Sequence, residues 1–529
     1  MPQITKVIGP PGTGKTTFLV RQIARARGKL RRGRTILVSS LTRAAATEFR
    51  SRLPDDVYRD VIVGTLHSHA LNVLGRPTLI GPKDIERWNV DHHQYTLPKS
   101  LFAKDGAEQQ EKSDLWAQYH MARAMMTPLE GDRLQSFHEL FSRWKVSEQV
   151  VDFTDLIEQA IAYSPTGPGV PQFIFIDEAQ DHDRLQWKLI NKWAADEDCE
   201  HLILVGDPAQ NLYEWRGSEP TAMEDAAPDA KRIVLAKSYR VPSGIIDVAH
   251  AIHARMTDVV NDDFSPRDGD DGGVTRLGFS MSRCTNSDQI VDIIEDECRE
   301  GYTVMALATC GFMLEPILKR LRHRGVPFHN PYKRDNAKFN PLGPPAHGIG
   351  WLERLRMLWA GAEVARWTTR EVVEWLKLFD RSTILERGAY KELEAEAKST
   401  PHAVMTASRL SRVTNTPTRL NGLLDDPYRW AANNVARKYR TNVGYATRVH
   451  KKWGERYLGE QTAIVGTIHS VKGGEAEVVL LNLELSAAEI AGQENGSANQ
   501  IHRKFYVGST RAKSQLILLG GDGHGYYTI

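Results

Sequence analysis

The sequence predicts an α/β fold of parallel sheets, interrupted twice by mainly helical insertions. Three observations carry that prediction. A glycine-rich loop, "GPPGTGKTT", stands between a strand-like and a helix-like segment. Two further apolar runs, "FIFI" and "HLILV", break off at acidic residues. Between such units lie long stretches whose apolar residues recur every three or four positions.

The first element is "ITKVI", an apolar strand, and "TTFLVRQIARA" after the loop has the spacing of an amphipathic helix. Between them run Gly9, Pro10, Pro11, Gly12, Thr13, Gly14, Lys15, Thr16 and Thr17. Glycines in this pattern let backbone N–H groups close around phosphates. Lys15 reaches the terminal phosphates, and the Thr16 hydroxyl is placed for Mg²⁺.

The run "FIFIDEAQD" delivers Asp177 and Glu178 where a buried parallel strand reaches its carboxyl end. Asp177 can hold Mg²⁺ while Glu178 polarises an attacking water. A third run, "HLILVGD", ends in Asp207 and continues "PAQNLYEWRG". Its Gln210 can sense a terminal phosphate, and Tyr213 and Trp215 offer flat faces to bases.

Composition narrows the class without naming a partner. At 529 residues and 41% hydrophobic content the chain predicts several cores. Lys plus Arg (68) nearly balances Asp plus Glu (66), so only local clusters can attract a polyanion. Cys199, Cys284, Cys298 and Cys310 form no CxxC pair, which predicts free thiols and no zinc or iron–sulfur site. No leader or spanning run is evident, so a soluble, cytoplasmic protein is expected.

Together, "DEAQD" and "GDPAQNLYEWRG" resemble motifs II and III of the UvrD/Rep group of superfamily 1 DNA helicases. "ILVSSLTRAAATEF" from Ile36 and "VGTLHSHALNVL" from Val63 resemble motifs Ia and Ib, and "VDFTDLI" from Val151 the segment before motif II. "LAKSYRVPSGII" from Leu235 resembles motif IV, "TIHSVKGGEAEVVLL" from Thr467 motif V, and "FYVGSTRAKSQLILL" from Phe505 motif VI. The matches keep the family's order.

This resemblance implies two RecA-like P-loop NTPase domains that hydrolyse ATP between them with Mg²⁺, walking on single-stranded DNA and at duplex junctions. The W-R-G of motif III implies 3′ to 5′ travel. The matching positions make Lys15, Asp177, Glu178, Gln210, Arg240 and Arg511 the catalytic set, with Tyr239 stacking on adenine and Glu475 near ribose or phosphate. For nucleic acid they give Thr42, Thr65, His67, Tyr213, Trp215 and His469. Leu41 stands where the family has a stacking Phe, and Gly474 where it has an apolar side chain.

Residues 1–75 and 150–241 are expected to form the first RecA-like domain around a helical insertion at 76–149. Residues 242–334 and 461–529 are expected to form the second, around an insertion at 335–460. Trp116, Tyr119, Phe137, Phe141 and Trp144 fall at helical spacings and predict an aromatic core in the first insertion. The basic, aromatic segment from Ala436 to Tyr457 suits a nucleic-acid backbone or a solvated helix face. Two other functions use the same residues: a translocase that remodels protein–DNA or works on RNA without unwinding, and a nucleotide-switched scaffold. Glu178 speaks against the scaffold, because a switch needs no water-polarising acid.

Overall fold

A computed structural model of the chain describes residues 2–54, 59–98, 101, 115–260, 264–332, 336, 338–342, 367–406, 409, 427–454, 463–494, 496–521 and 523–529. Residues 351–366 of the expected second insertion, residues 261–263, and Tyr457 lie outside them.

Two compact units divide the chain. The first comprises Met1–Thr275, Leu485–Leu516 and Gly523–Ile529; the second comprises Arg276–Glu484 and Ile517–Asp522. The first holds strands β1 (Gln3–Ile8), β2 (Thr35–Ser39), β3 (Val61–Gly64), β4 (Pro171–Ile176), β5 (His201–Gly206) and β6 (Lys231–Val234). Their order is β3-β2-β4-β5-β1-β6, and every pairing is parallel. β4 is buried at all six positions, which is why it reads as an unbroken apolar run and not as an alternating one.

Parallel order has a direct consequence for the motifs. All carboxyl ends of a parallel sheet lie on one edge, so the segments after β1, β2, β3, β4, β5 and β6 meet there. The phosphate loop, Thr42, Thr65, Asp177–Glu178, Asp207–Trp215 and Tyr239–Arg240 follow those strands in turn. Gln3, at the amino end of β1, sits on the opposite edge, where its N–H donates to the Glu200 carbonyl.

The insertion in this unit has its own core. Helices Pro82–Asp91, Leu115–Met125 and Asp132–Glu148 bury Trp88, Tyr119, Phe137 and Phe141 to 1% exposure or less, with Trp116 and Trp144 packed against them. Phe137 stacks on Phe141 at 5.3 Å, and Phe141 on Trp144 at 5.9 Å. These aromatics pack against one another, as their spacing predicts.

A second six-stranded sheet has the order β7-β12-β11-β8-β10-β9, formed by Gly273–Leu277, Ala512–Leu519, Ala476–Asn482, Val304–Ala308, Ala463–Thr467 and Phe328–His329. In the second unit β8 pairs in parallel with β10 and β11. Helix Thr369–Leu376, opened by a Thr368/Glu371 capping box, falls within the stretch 335–460 expected to be helical. Helix Arg440–Trp453 turns Val443, Tyr445, Ala446 and Val449 inward. Several of its polar groups are occupied within the unit: Arg448 donates to the Arg322 carbonyl, Lys452 pairs with Glu295, and Trp453 Nε1 donates to the Gly325 carbonyl. Among the described residues no helix is long and apolar enough to cross a membrane.

Candidate nucleotide and nucleic-acid sites

The phosphate loop leaves β1 at Gly9, whose N–H donates to the Gly206 carbonyl, and ends where helix Lys15–Arg27 begins. Gly12 and Gly14 take φ of +75° and +77°, a conformation that glycine adopts without the Cβ penalty. Space also excludes larger residues here. A Cβ on Gly12 would lie 2.5 Å from Arg240 Cβ and 2.7 Å from Ser238 Oγ. Ser238 Oγ donates to the Pro11 carbonyl, and Tyr239 N–H donates to the Gly12 carbonyl, so the segment after β6 is stitched to the loop. Lys15 Nζ donates to the Gly9 carbonyl at 2.6 Å; Thr16 is half-buried and Thr17 exposed.

The acids follow from β4 and β5. Asp177 is buried and its N–H donates to the Ser39 carbonyl. Burial first, and the neighbouring Glu178 second, push its carboxyl up to about 7, against the opposing pull of Lys15. Glu178 has φ +51°, a left-handed conformation that costs a non-glycine residue about 1–2 kcal/mol. This twist gives adjacent carboxylates different directions, and Gln180 Nε2 holds the Glu178 carboxylate at 2.6 Å. Asp207, also raised mainly by burial and pulled down by Lys15, accepts from Gln210 Nε2 at 2.7 Å.

The donor set fits a divalent cation with phosphates. A buried carboxylate whose proton affinity is raised by a second acid is a place where Mg²⁺ can replace the proton. Among the described residues no group of three or more His, Cys, Asp or Glu could hold a metal ion. A Mg²⁺ ion at this edge would draw most of its ligands from substrate oxygens and water, as is usual for that ion.

Tyr239 and both arginines belong to the first unit. Tyr239 is 73% exposed, with ring atoms 3.8 Å from the position a Cβ on Gly14 would take. Arg240 is half-buried beside Gly12. Arg511 is 2% exposed: Nε donates to the Val507 carbonyl at 2.9 Å and Nη2 to Gln210 Oε1 at 3.0 Å.

A cavity of about 800 Å³ opens beside this edge, lined by Thr42, Thr65, His67, Tyr213 and Trp215 among others. Five of the six nucleic-acid candidates thus share one space. Thr42 and Thr65 also cap helices, accepting from Ala45 N–H at 3.1 Å and Ser68 N–H at 3.3 Å. Tyr213 is 7% exposed and lines the cavity wall. Trp215 is half-buried, and its Nε1 is a buried donor with no hydrogen-bond partner among the described residues. Arg216 lies over both rings, at 5.8 Å and 5.6 Å.

Sequence reading missed His120, His182 and Asp183, which line the same cavity. Burial lowers His67 to about 3 and His120 and His182 to about 4, with Arg216 a further cause for the first two. All three imidazoles are therefore neutral at physiological pH, as is Asp183 in part, raised to about 7 by burial. The cavity presents three neutral imidazoles beside the Arg216 guanidinium and the carboxyl groups of Asp181 and Asp183. His182 directly follows "DEAQD" and was in view; His120 enters from the insertion, and nothing local marks it.

The remaining two candidates lie in the second unit. His469, after β10, is 4% exposed. Glu475 is exposed, in the turn before β11. A Cβ on its neighbour Gly474 would come within 2.5 Å of the Tyr332 hydroxyl, which accounts for glycine at that position.

Comparison with known proteins finds similarity in the first part of the chain. Residues 2–231 match the model of the UvrD/REP helicase N-terminal domain. The chain is 27% identical over 282 residues to the ATP-dependent DNA helicase PcrA of Leuconostoc citreum, a match covering 46% of this chain and 36% of that protein. The PcrA helicases of Bacillus subtilis (25% over 275 residues) and Staphylococcus aureus (24% over 278 residues) match similarly, with 36% and 37% of their lengths covered. The matches thus span little more than a third of these relatives.

Proposed function

We propose, from the match of residues 2–231 to the UvrD/REP helicase N-terminal domain, that the chain is an ATP-dependent DNA helicase. It moves 3′ to 5′ on single-stranded DNA and separates strands at duplex junctions. One observation carries the proposal: a single loop serves both sites. Gln210 meets Arg511 at the nucleotide end, and five residues on Trp215 and Arg216 line the cavity.

In this reading the loop N–H groups, Lys15 and Arg240 hold the triphosphate, and Tyr239 covers the base. Mg²⁺ held by Thr16 and Asp177 neutralises phosphate charge when bound. Glu178 takes the proton side of the attacking water, and Arg511 stabilises charge that grows on the transferred phosphoryl group. Hydrolysis removes the group that Gln210 and Arg511 sense, and the loop passes that change to Trp215, on which a base stacks. The uncharged imidazoles suit bases more than phosphates, since they can donate and accept without attracting the backbone.

A strand-displacement assay on duplexes with 3′ or 5′ single-stranded tails tests the proposal. ATP-dependent displacement from the 3′-tailed duplex is expected. DNA-stimulated hydrolysis without displacement supports the translocase reading, and displacement from the 5′-tailed duplex alone overturns the polarity.

A further inference from the structure

We propose that Arg503 and Glu214 form a coupler through which helix Ala498–Ser509 moves the Trp215 loop in step with the nucleotide site. The proposal deepens the reading above and rests on it. Arg503 has a side chain 0% exposed, with Nη1 2.5 Å from Glu214 Oε1 and Nη2 2.5 Å from Asp258 Oδ2. From the preceding turn of the same helix, Gln500 Nε2 donates to Glu214 Oε2 at 2.6 Å. Both Glu214 oxygens are thus held by one helix.

The geometry gives this clamp a direction. Glu214 adjoins Trp215, and Arg511, two residues past the end of the helix, holds Gln210. The loop is therefore held at two points four residues apart, at Glu214 by the helix itself and at Gln210 by the short segment that continues from it. A guanidinium forked between two carboxylates in a buried site has few alternative geometries, because losing one partner strands a charge away from water. Displacement of the helix at Arg511 must then carry Glu214, and Trp215 with it. Asp258 binds the same guanidinium but lies outside the loop, so it anchors Arg503 without transmitting.

The test is a linkage measurement on the full chain. Affinity for a fluorescent oligodeoxythymidylate is measured with and without a non-hydrolysable ATP analogue, and the ratio of the two Kd values is the coupling factor. Typical coupling is about 5- to 150-fold. Glu214→Gln keeps the shape and the acceptor for Gln500 but removes the charge facing Arg503. Its ratio is expected to fall to within about twofold of one, while hydrolysis without DNA stays within about twofold of the parent. Asp258→Asn removes the other carboxylate charge facing Arg503 and is expected to keep the parental ratio, which separates coupling from a merely structural role. Should Glu214→Gln fold poorly, Arg503→Lys replaces it, with the same loss expected. The proposal is overturned if the variant keeps the parental ratio, if Asp258→Asn loses as much, or if the parent has DNA-stimulated hydrolysis but a ratio of one. A parent whose hydrolysis ignores DNA overturns the helicase reading itself.

Discussion

Arg511 donates from Nη2 to Gln210 Oε1 at 3.0 Å, across 301 positions of sequence. Gln210 in turn donates to Asp207 at 2.7 Å, so the arginine is aimed by a buried chain that ends near Lys15. Guanidinium groups at such positions are worth about 10³ to 10⁵ in rate. Arg511→Lys keeps a charge but cannot reproduce the fork, and it is expected to lower kcat by at least about 100-fold with little change in nucleotide affinity. Single-turnover hydrolysis beside nucleotide binding checks this. Gln210→Ala, which leaves Arg511 in place, is expected to lower DNA stimulation more than basal turnover.

The raised carboxyl of Asp177 predicts a pH dependence. Its folded value of about 7 exceeds the ordinary aspartate value of 3.8, so between these the folded state binds more protons than the unfolded one. The nucleotide-free protein therefore loses this contribution to stability as pH rises from about 4 through about 7. Asp177→Asn removes the dependence and is expected to raise the nucleotide-free Tm at pH 8 more than at pH 5. Mg²⁺ must displace the same proton, so stabilisation by Mg²⁺ and ATP should weaken as pH falls below 7. Thermal melts across this range, with and without Mg²⁺ and nucleotide, measure both effects.

Two neighbouring aromatics should behave oppositely. Trp215 is half-buried in the cavity wall, and Tyr213 is 7% exposed. Trp215→Ala is expected to weaken single-strand binding by about 1–3 kcal/mol, the worth of one stacked base, with a small change in Tm. Tyr213→Ala should instead destabilise the fold by about 3 kcal/mol or more, as other large aromatic truncations in cores do. Fluorescence anisotropy with a labelled oligonucleotide and thermal unfolding separate the two.

Gly474 makes a prediction in the second unit. Introducing leucine there is expected to destabilise this unit, because its Cβ would meet the Tyr332 hydroxyl at 2.5 Å. Tyr332→Ala should relieve most of that cost, so the double variant should melt nearer to the parent than Gly474→Leu alone.

What could be read in the sequence was what local chemistry fixes. Gly12, Gly14, Lys15 and the acids closing β4 and β5 answer to backbone conformation and strand ends, and each stands on the carboxyl edge its motif implies. The orientation of Glu178 depends on a left-handed residue that no neighbour announces. The depth at which Tyr213 and His469 sit could not be read, because aromatic and imidazole side chains serve cores and ligands equally well and packing alone sets their exposure. His120 and the Arg503–Glu214 pair arise from contacts between segments far apart in the chain, up to 289 positions, where periodicity carries no signal.

The central claim is that nucleotide cleavage at the edge of the first sheet answers to nucleic acid in the adjoining cavity. ATP turnover by the purified protein, measured with Mg²⁺ and a rising concentration of single-stranded DNA, tests it most directly. The account predicts saturable stimulation that disappears in Lys15→Ala and in Glu178→Gln, the latter still binding nucleotide. Turnover that is the same with and without DNA, or that survives either substitution, would contradict it.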